Sequence, residues 1–437
     1  MKSKILSMFD YVMILLVLAL VTIGILFIYS SGVNSDGISV KNEYIKQIIW
    51  ASIGLVFMIL LTIYDYRRIS SFILYFYVVF IISLIYTRLF GRVVNGAKSW
   101  LGIGDFGIQP SELGKVIYII MLAHFLDDST NTPQLKRFII ATCYLLIPFG
   151  LIMLQPDLGT ASVYIPIFFV MCFIADIPLK YILYLFLFGM LTIVFAVLPV
   201  WNNEIAATPI TAISILTNMK LRIILIAAIL LITIAGIIIR RFFHGNSYIF
   251  WISYFTSIIV LALIFSLALG KVLKDYQIKR LIIFMNPEKD RLGAGWNIIQ
   301  SKVAIGAGGI FGRGYLGGTQ SHYQFLPQQS TDFIFSILSE EVGFLGCTII
   351  FALYFLIMAK ILFIIRKCPN KFGTYICSGV FGMFLFHFMI NVGMVMGMMP
   401  ITGIPLLFLS YGGSSLLTAM TCLGVVMSVN ARKGELK

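Results

Sequence analysis

The chain has 437 residues, of which 60% are hydrophobic and 11% charged, with a mean hydropathy of +0.99. That charged fraction, against about 25% in a soluble domain, excludes an ordinary soluble enzyme and points to a polytopic membrane protein. A net charge of +14 would suggest nucleic-acid binding in a soluble protein, but here basic cytoplasmic loops account for it and no nucleic-acid partner is expected.

Met1-Lys2-Ser3-Lys4 precedes an apolar run over 11–30 that lacks an Ala-x-Ala site, so it reads as a retained anchor rather than a signal peptide. Further runs of spanning length cover 46–64, 70–89, 112–126, 138–155, 159–175, 178–199, 222–239, 248–269, 333–365, 374–397 and 406–430. The expected fold is all-α, a single polytopic membrane domain over 1–437 with about twelve transmembrane helices. With the N-terminus inside, the inner connections carry Arg67-Arg68, Lys136-Arg137, Lys180, Arg240-Arg241, Arg366-Lys367 and Arg432-Lys433. Both termini are then cytoplasmic, and Arg88, Arg92 and Lys98 stand on the outer side against the trend, which suggests a cationic task there.

Three polar stretches interrupt the apolar pattern. Asn95–Trp100 precedes Gln109–Lys115, where Pro110 suits a first helical turn and Glu112 its positive end. Glu112 and Lys115 are three residues apart, share a helix face and can pair, yet both enter a predicted span, where ionisable groups are costly and usually functional. Gln155–Thr160 reads as a tight turn with Asp157 capping the next helix, a ligand contact being the lesser reading. The third stretch, 271–332, is expected to be a large extracytoplasmic loop bearing the active site. Asp290 lies in it among Lys279, Arg280, Lys289 and Arg291, charges that could hold a phosphate or tune a carboxylate. Its glycine run has no G-K-[ST] ending, so no nucleotide site is expected, and no haem. The six cysteines form no C-x-x-C pair and the four histidines are scattered, which argues against a zinc or disulfide framework. Farther on, Glu340 stands about two turns inside a span and needs a partner or water. The small residues of Ser410–Ser415 most simply allow close helix packing.

At Gly96–Trp100, Gln109–Lys115, Gln155–Thr160, Asn286–Ser301, Gly318–Gln320 and Phe325-Leu326-Pro327 the chain resembles the SEDS family (shape, elongation, division and sporulation). The resemblance runs from Tyr11 to the C-terminus, and the run Ile401–Leu406 before Phe408–Ser415 is most similar to the elongation branch. It implies a peptidoglycan glycosyltransferase of the bacterial inner membrane, with its active site on the extracytoplasmic face. The substrates would be lipid II and undecaprenyl-diphosphate-linked glycan. The partners implied are a class B penicillin-binding protein and the elongation machinery, and the cofactor a divalent cation, magnesium or manganese. Residue by residue, the resemblance makes Asp290 the essential outer carboxylate and catalytic base. It makes Lys98, Trp100, Glu112, Lys115, Asp157, Gln300 and Ser301 substrate-binding candidates, with Lys98 where Arg is common in the family.

Family members usually have ten helices, so a two-helix insertion is expected within 178–270, without intramembrane charge and peripheral to catalysis. Two other classes fit a polytopic chain with buried charges. A lipid II flippase would move lipid and make no polymer, and an ion-coupled transporter would show an inverted repeat, which the sequence lacks.

Overall fold

The computed structural model describes residues 8–434 except 35–36, 39, 95, 104–105, 205–209, 243–246, 273–279, 281–282, 291–292 and 324. The chain divides into two compact units, Met1–Ile177 with Trp296–Lys437, and Pro178–Gly295. The first unit contains α1 (Tyr11–Ser31), α2 (Glu43–Ile63), α3 (Tyr66–Phe90), α4 (Pro110–Asp128), α5 (Gln134–Leu154) and α6 (Leu158–Ile174). The second contains α7 (Leu179–Glu204), α8 (Met219–Phe242) and α9 (Ser247–Val272). The first unit resumes at Trp296, within α10 (Ala294–Gly308), and continues with α11 (Ile334–Lys367), α12 (Lys371–Val395) and α13 (Gly413–Ala431).

Among the described residues ten helices are long and apolar enough to cross a membrane. The predicted runs at 112–126 and 159–175 also fold as helices, α4 and α6, but α6 has only 17 residues and α4 carries Glu112, Lys115, Asp127 and Asp128. The core of the first unit lies around α4, α12 and α13. The most apolar stretch of α13 is 83% buried, against 22% for α2, because α13 is rich in Gly, Ser, Ala and Thr and lets neighbours approach. Gly413 shows why bulk is excluded there: a Cβ would sit 2.3 Å from the Trp50 ring. The predicted run at 406–430 begins as helix only at Gly413. Residues 396–412 before it follow a largely non-helical path, with Ile404, Leu406, Leu407, Phe408, Leu409 and Ser410 all buried.

The connection 91–109 forms a three-stranded antiparallel sheet, β1 (Arg92–Val94), β2 (Ala97–Ile103) and β3 (Phe106–Ile108), the one departure from an all-α fold among the described residues. Val93 pairs with Lys98 and Val94 with Ala97, and Gly96 takes φ 84° at the turn, a conformation that glycine adopts without strain. The stretch 271–332 is likewise more helical than expected for a loop. It contains a 3-10 turn at Pro287–Asp290, the 15-residue α10 and a short turn at Thr319–His322. In α10 the buried positions among the described residues are Gly295, Ile298, Ser301, Ala304 and Gly308, a helical stripe that its small residues obscure in the sequence.

Helix α11 is broken at Gly343 (φ 66°, ψ −166°), a conformation confined to glycine. The run after α10 fills the break. Arg313 N donates to Glu340 O and Gly314 N to Glu341 O, while Phe344 N and Leu345 N donate to Gly309 O and Ile310 O. The carboxylates are held by the same run. Glu340 accepts from the Thr319 amide and hydroxyl, both at 2.8 Å, and Glu341 from the Leu316 amide at 3.1 Å and the Ser30 hydroxyl. The partner that Glu340 needed is thus a backbone turn with Arg313 at 3.7 Å.

Both ends of the first unit meet at one recess, lined by Met8, Asp10, Tyr11, Asn430 and Lys433. Asp65 pairs with Arg67 at 3.5 Å and with Arg432 at 3.7 Å, and Asp10 pairs with Lys360. In the second unit one expectation fails. Arg222, at the start of α8, is 5% exposed, and its guanidinium donates to Leu216 O, Leu263 O and Ser266 Oγ. The helices of 178–270 therefore do carry a buried charge, satisfied by carbonyl and hydroxyl oxygens that no hydropathy profile shows.

Candidate active site

The start of α4 organises the candidate residues of the first unit. Pro110 occupies the first helical turn, and Glu112 and Lys115 follow on one face, turned inward. Lys115 is 0% exposed and Glu112 5%, and the ammonium donates to Glu112 Oε1 at 2.6 Å. Its other contact is His387 Nε2 on α12, at 3.2 Å, and His387 Nδ1 lies 3.0 Å from Pro405 O in the non-helical run. An ammonium only donates, so Nε2 accepts and the imidazole is the neutral Nδ1–H form, donating to Pro405 O. One negative and one positive charge balance, which is what permits the group to be buried. Glu112 Oε2 and the Tyr118 hydroxyl, also buried, have no hydrogen-bond partner among the described residues.

Around the entry to α4 the other motifs meet. Gln109 Nε2 donates to Asp157 Oδ2 and, at 3.3 Å, to Thr160 Oγ1, while Gln109 N donates to Ser414 Oγ at 3.1 Å. Asp157 caps α6 through Thr160 N at 3.1 Å and accepts the Thr160 hydroxyl at 2.9 Å. Burial raises the pKa of its carboxyl above the ordinary value, the Thr160 bonds opposing that shift. The cap reading of Asp157 is therefore correct, and the same side chain also reaches the Gln109 amide. Lys98 N donates to Gln155 O at 3.2 Å, which docks β2 on the turn before α6, and Lys98 Nζ donates to Leu89 O at 2.7 Å. Trp100 lies half-buried against Gly107, where a Cβ would come 2.9 Å from its ring.

Gln300 and Ser301 lie on α10. Ser301 is 0% exposed, with its hydroxyl 2.8 Å from Ser336 Oγ and donating to Val395 O at 2.6 Å, whereas Gln300 is half-buried. Enclosure of Lys115 and Ser301 means that neither touches a substrate in this conformation. Their contacts instead fix α4 and α10 in place. Asp290 belongs to the second unit and closes the 3-10 turn Pro287–Asp290, which Asn286 caps through its side chain to Glu288 N at 3.2 Å. Its side chain lies outside the described residues, as do those of Lys279, Lys289 and Arg291.

The first unit therefore brings Lys98, Trp100, Glu112, Lys115 and Asp157 to the sheet and the entry of α4. It adds His387, which the sequence did not single out, and gives side-chain contacts to Gln109, Thr160 and Ser414, which the sequence marked only as members of motifs. The signal for His387 was present as an ionisable side chain inside the apolar run 374–397.

The family model of the FtsW/RodA/SpoVE cell cycle proteins matches residues 10–208 and 203–435. A peptidoglycan glycosyltransferase RodA of Treponema pallidum is 53% identical over 99% of this chain and 100% of its own. The Escherichia coli peptidoglycan glycosyltransferase MrdB is 32% identical over 97% of this chain and 94% of its own. Among solved structures, a chain from a peptidoglycan synthase complex, studied for the coordination of polymerization and crosslinking, is 25% identical with a TM-score of 0.69, covering 98% of this chain and 99% of its own. Thermus thermophilus RodA, at 22% identity and TM-score 0.60, covering 98% of both chains, shares the fold. Three motifs that meet at the entry of α4 and likeness over the full length lead to one assignment: the chain is a multi-pass membrane protein of the FtsW/RodA/SpoVE family, the SEDS proteins.

Proposed function

We propose that this protein is a peptidoglycan glycosyltransferase that polymerises lipid II into glycan strands for cell elongation. The observation that supports this reading is the 53% identity, over 99% of the chain, to a protein named peptidoglycan glycosyltransferase RodA. In the proposed reaction the 4-hydroxyl of the acceptor sugar attacks the anomeric carbon of the lipid-linked donor. A C–O bond forms, the bond to the diphosphate breaks, and the α-linked donor becomes a β-linked product by inversion. The hydroxyl proton passes to the Asp290 carboxylate, because a sugar hydroxyl is too weak an acid to attack unaided. Diphosphate leaves with its own negative charge and needs charge stabilisation more than a proton.

Lys98 is the half-buried cation of the first unit offered to that charge, since its bond to Leu89 O can exchange for a phosphate oxygen. Trp100 offers an apolar face to a sugar, and Asp157 and Gln300 offer polar contacts. Glu112, Lys115 and Ser301 act by holding α4 and α10. Among the described residues no three His, Cys, Asp or Glu side chains converge as a metal cage. Magnesium or manganese belongs to the proposal as a companion of the diphosphate, whose oxygens bind hard cations.

The site is proposed to face the extracytoplasmic side of the bacterial inner membrane, with both termini cytoplasmic. The partner is proposed to be a class B penicillin-binding protein that crosslinks the strands, within the elongation machinery. The test is polymerisation by purified protein with lipid II, with and without added magnesium or manganese. Glycan chains are expected. Lipid movement in vesicles without polymer would instead favour a flippase.

A further inference from the structure

The run 396–412 carries backbone carbonyls that no helix satisfies, and inside a membrane protein such groups need partners. Four side chains supply them: Asn391 donates to Ile404 O, His387 to Pro405 O, Tyr354 to Leu407 O and Gln47 to Ser410 O. Asn391 and Gln47 make their remaining bonds to backbone, at Asp332 O and Gly412 N. His387 differs. Its second nitrogen faces the Lys115 ammonium, so one 1%-exposed imidazole joins the non-helical run to the ion pair on α4.

We infer that His387 is a positioning residue for the polymerisation reaction, acting through Lys115. The inference rests on the function proposed above. Lys115 holds Glu112, and Glu112 lies one turn after Gln109, whose amide reaches Asp157. The neutral imidazole supplies the acceptor that keeps the ammonium aimed at Glu112. The bond from Nδ1–H to Pro405 O fixes the ring plane, so rotation of the ring breaks both contacts. A shift of α4 by a fraction of a turn would misplace the groups at its entry, and misplacement of about 1 Å can cost on the order of 100-fold in rate without touching the chemistry.

Two substitutions separate the two ends of the ring. In His387→Gln the amide oxygen reaches the position of Nε2 and can still accept from Lys115. In His387→Asn the amide reaches only the position of Nδ1, so the bond to Pro405 O survives and Lys115 loses its acceptor. Polymerisation is measured on purified protein in proteoliposomes, with kcat and KM for lipid II, beside the thermal unfolding midpoint of each variant. The expected result is that His387→Gln stays within about threefold of wild type, while His387→Asn loses about 10- to 100-fold in kcat with KM within about twofold. In a Lys115→Met background His387→Asn should add nothing to the loss, which holds the test even where a single variant is less stable. Equal rates for the two variants, a faster His387→Asn, or an additive loss in the Lys115→Met background would overturn the inference. A wild-type protein that makes no polymer would instead sink the proposed function.

Discussion

Removing the Lys115 charge alone, and then both charges of its pair, asks whether the pair serves stability or function. Lys115→Met leaves the Glu112 carboxylate enclosed, with Oε1 stripped of its donor and Oε2 already without a partner among the described residues. An unpaired buried charge costs about 3–5 kcal/mol. Glu112→Leu with Lys115→Met removes both charges and leaves His387 Nε2 as the orphan acceptor, at a cost of about 1–3 kcal/mol. The double variant should therefore unfold at a higher temperature than the single one, by about 2 kcal/mol of stability, while staying about 1–3 kcal/mol below wild type. Midpoints are read by heating detergent-solubilised protein and following the folded fraction by size exclusion. Polymerisation of lipid II is measured on the same samples. Activity should stay low in both variants, because an apolar pair cannot hold His387 or present charge beneath the entry of α4. A double variant that polymerises at the wild-type rate would reduce the pair to a structural device. A single variant as stable as wild type would refute the burial argument itself.

Asp290→Asn should lower polymerisation by about two to four orders of magnitude while folding and lipid II binding persist, as gel filtration and a lipid-binding assay would report; a near-normal rate would remove the base assignment. Gly343→Ala should cost at least about 1–3 kcal/mol, because φ 66° with ψ −166° is confined to glycine and the new Cβ would lie 2.2 Å from Gly312 N. Gly150→Ala, where nothing lies within 4 Å of the new Cβ, is the control that should leave the unfolding midpoint unchanged or raise it. For Asp157 the folded-state pKa is raised by burial, so the folded form holds its proton to higher pH than the unfolded chain. The resulting stability is fully present below the ordinary value of 3.8 and is lost as pH rises through the raised one. Asp157→Asn should flatten that slope in unfolding midpoints measured from pH 4 upward, and an unchanged slope would assign it elsewhere. Single cysteines at positions 290 and 240 should label and stay unlabelled, respectively, with an impermeant reagent applied from outside; the reverse pattern would invert the proposed topology.

Hydropathy located most of the helices because spanning length and low charge are properties of a segment, independent of what it packs against. The twelve predicted apolar runs all coincide with helix, though the last starts at Gly413 rather than 406. The run 396–412 is apolar but holds Pro400 and Pro405 and has Gly397 and Gly403 at positive φ, which break a helix locally; what the sequence does not show is that Gln47, Tyr354, His387 and Asn391 supply partners for its carbonyls. The hairpin that turns at Gly96 was not anticipated, because its strands are too short for periodicity to show against an all-α reading. The α10 helix was hidden by glycine and alanine on its buried face.

For the candidate site, the sequence by itself determined that Glu112 and Lys115 share a face and that Asp157 caps a helix, because both follow from spacing of three residues or fewer. It also supplied the motifs that assign the chain to its family. Only the tertiary structure decided that Lys115 is enclosed rather than open to a ligand and that His387, 272 positions away, accepts from it. It likewise decided that Glu340 and Glu341 anchor the run after α10. The physical reason is the same in each case. A charge inside a membrane protein must be met by a partner, and the sequence shows the need for that partner without showing which distant residue the fold brings to it.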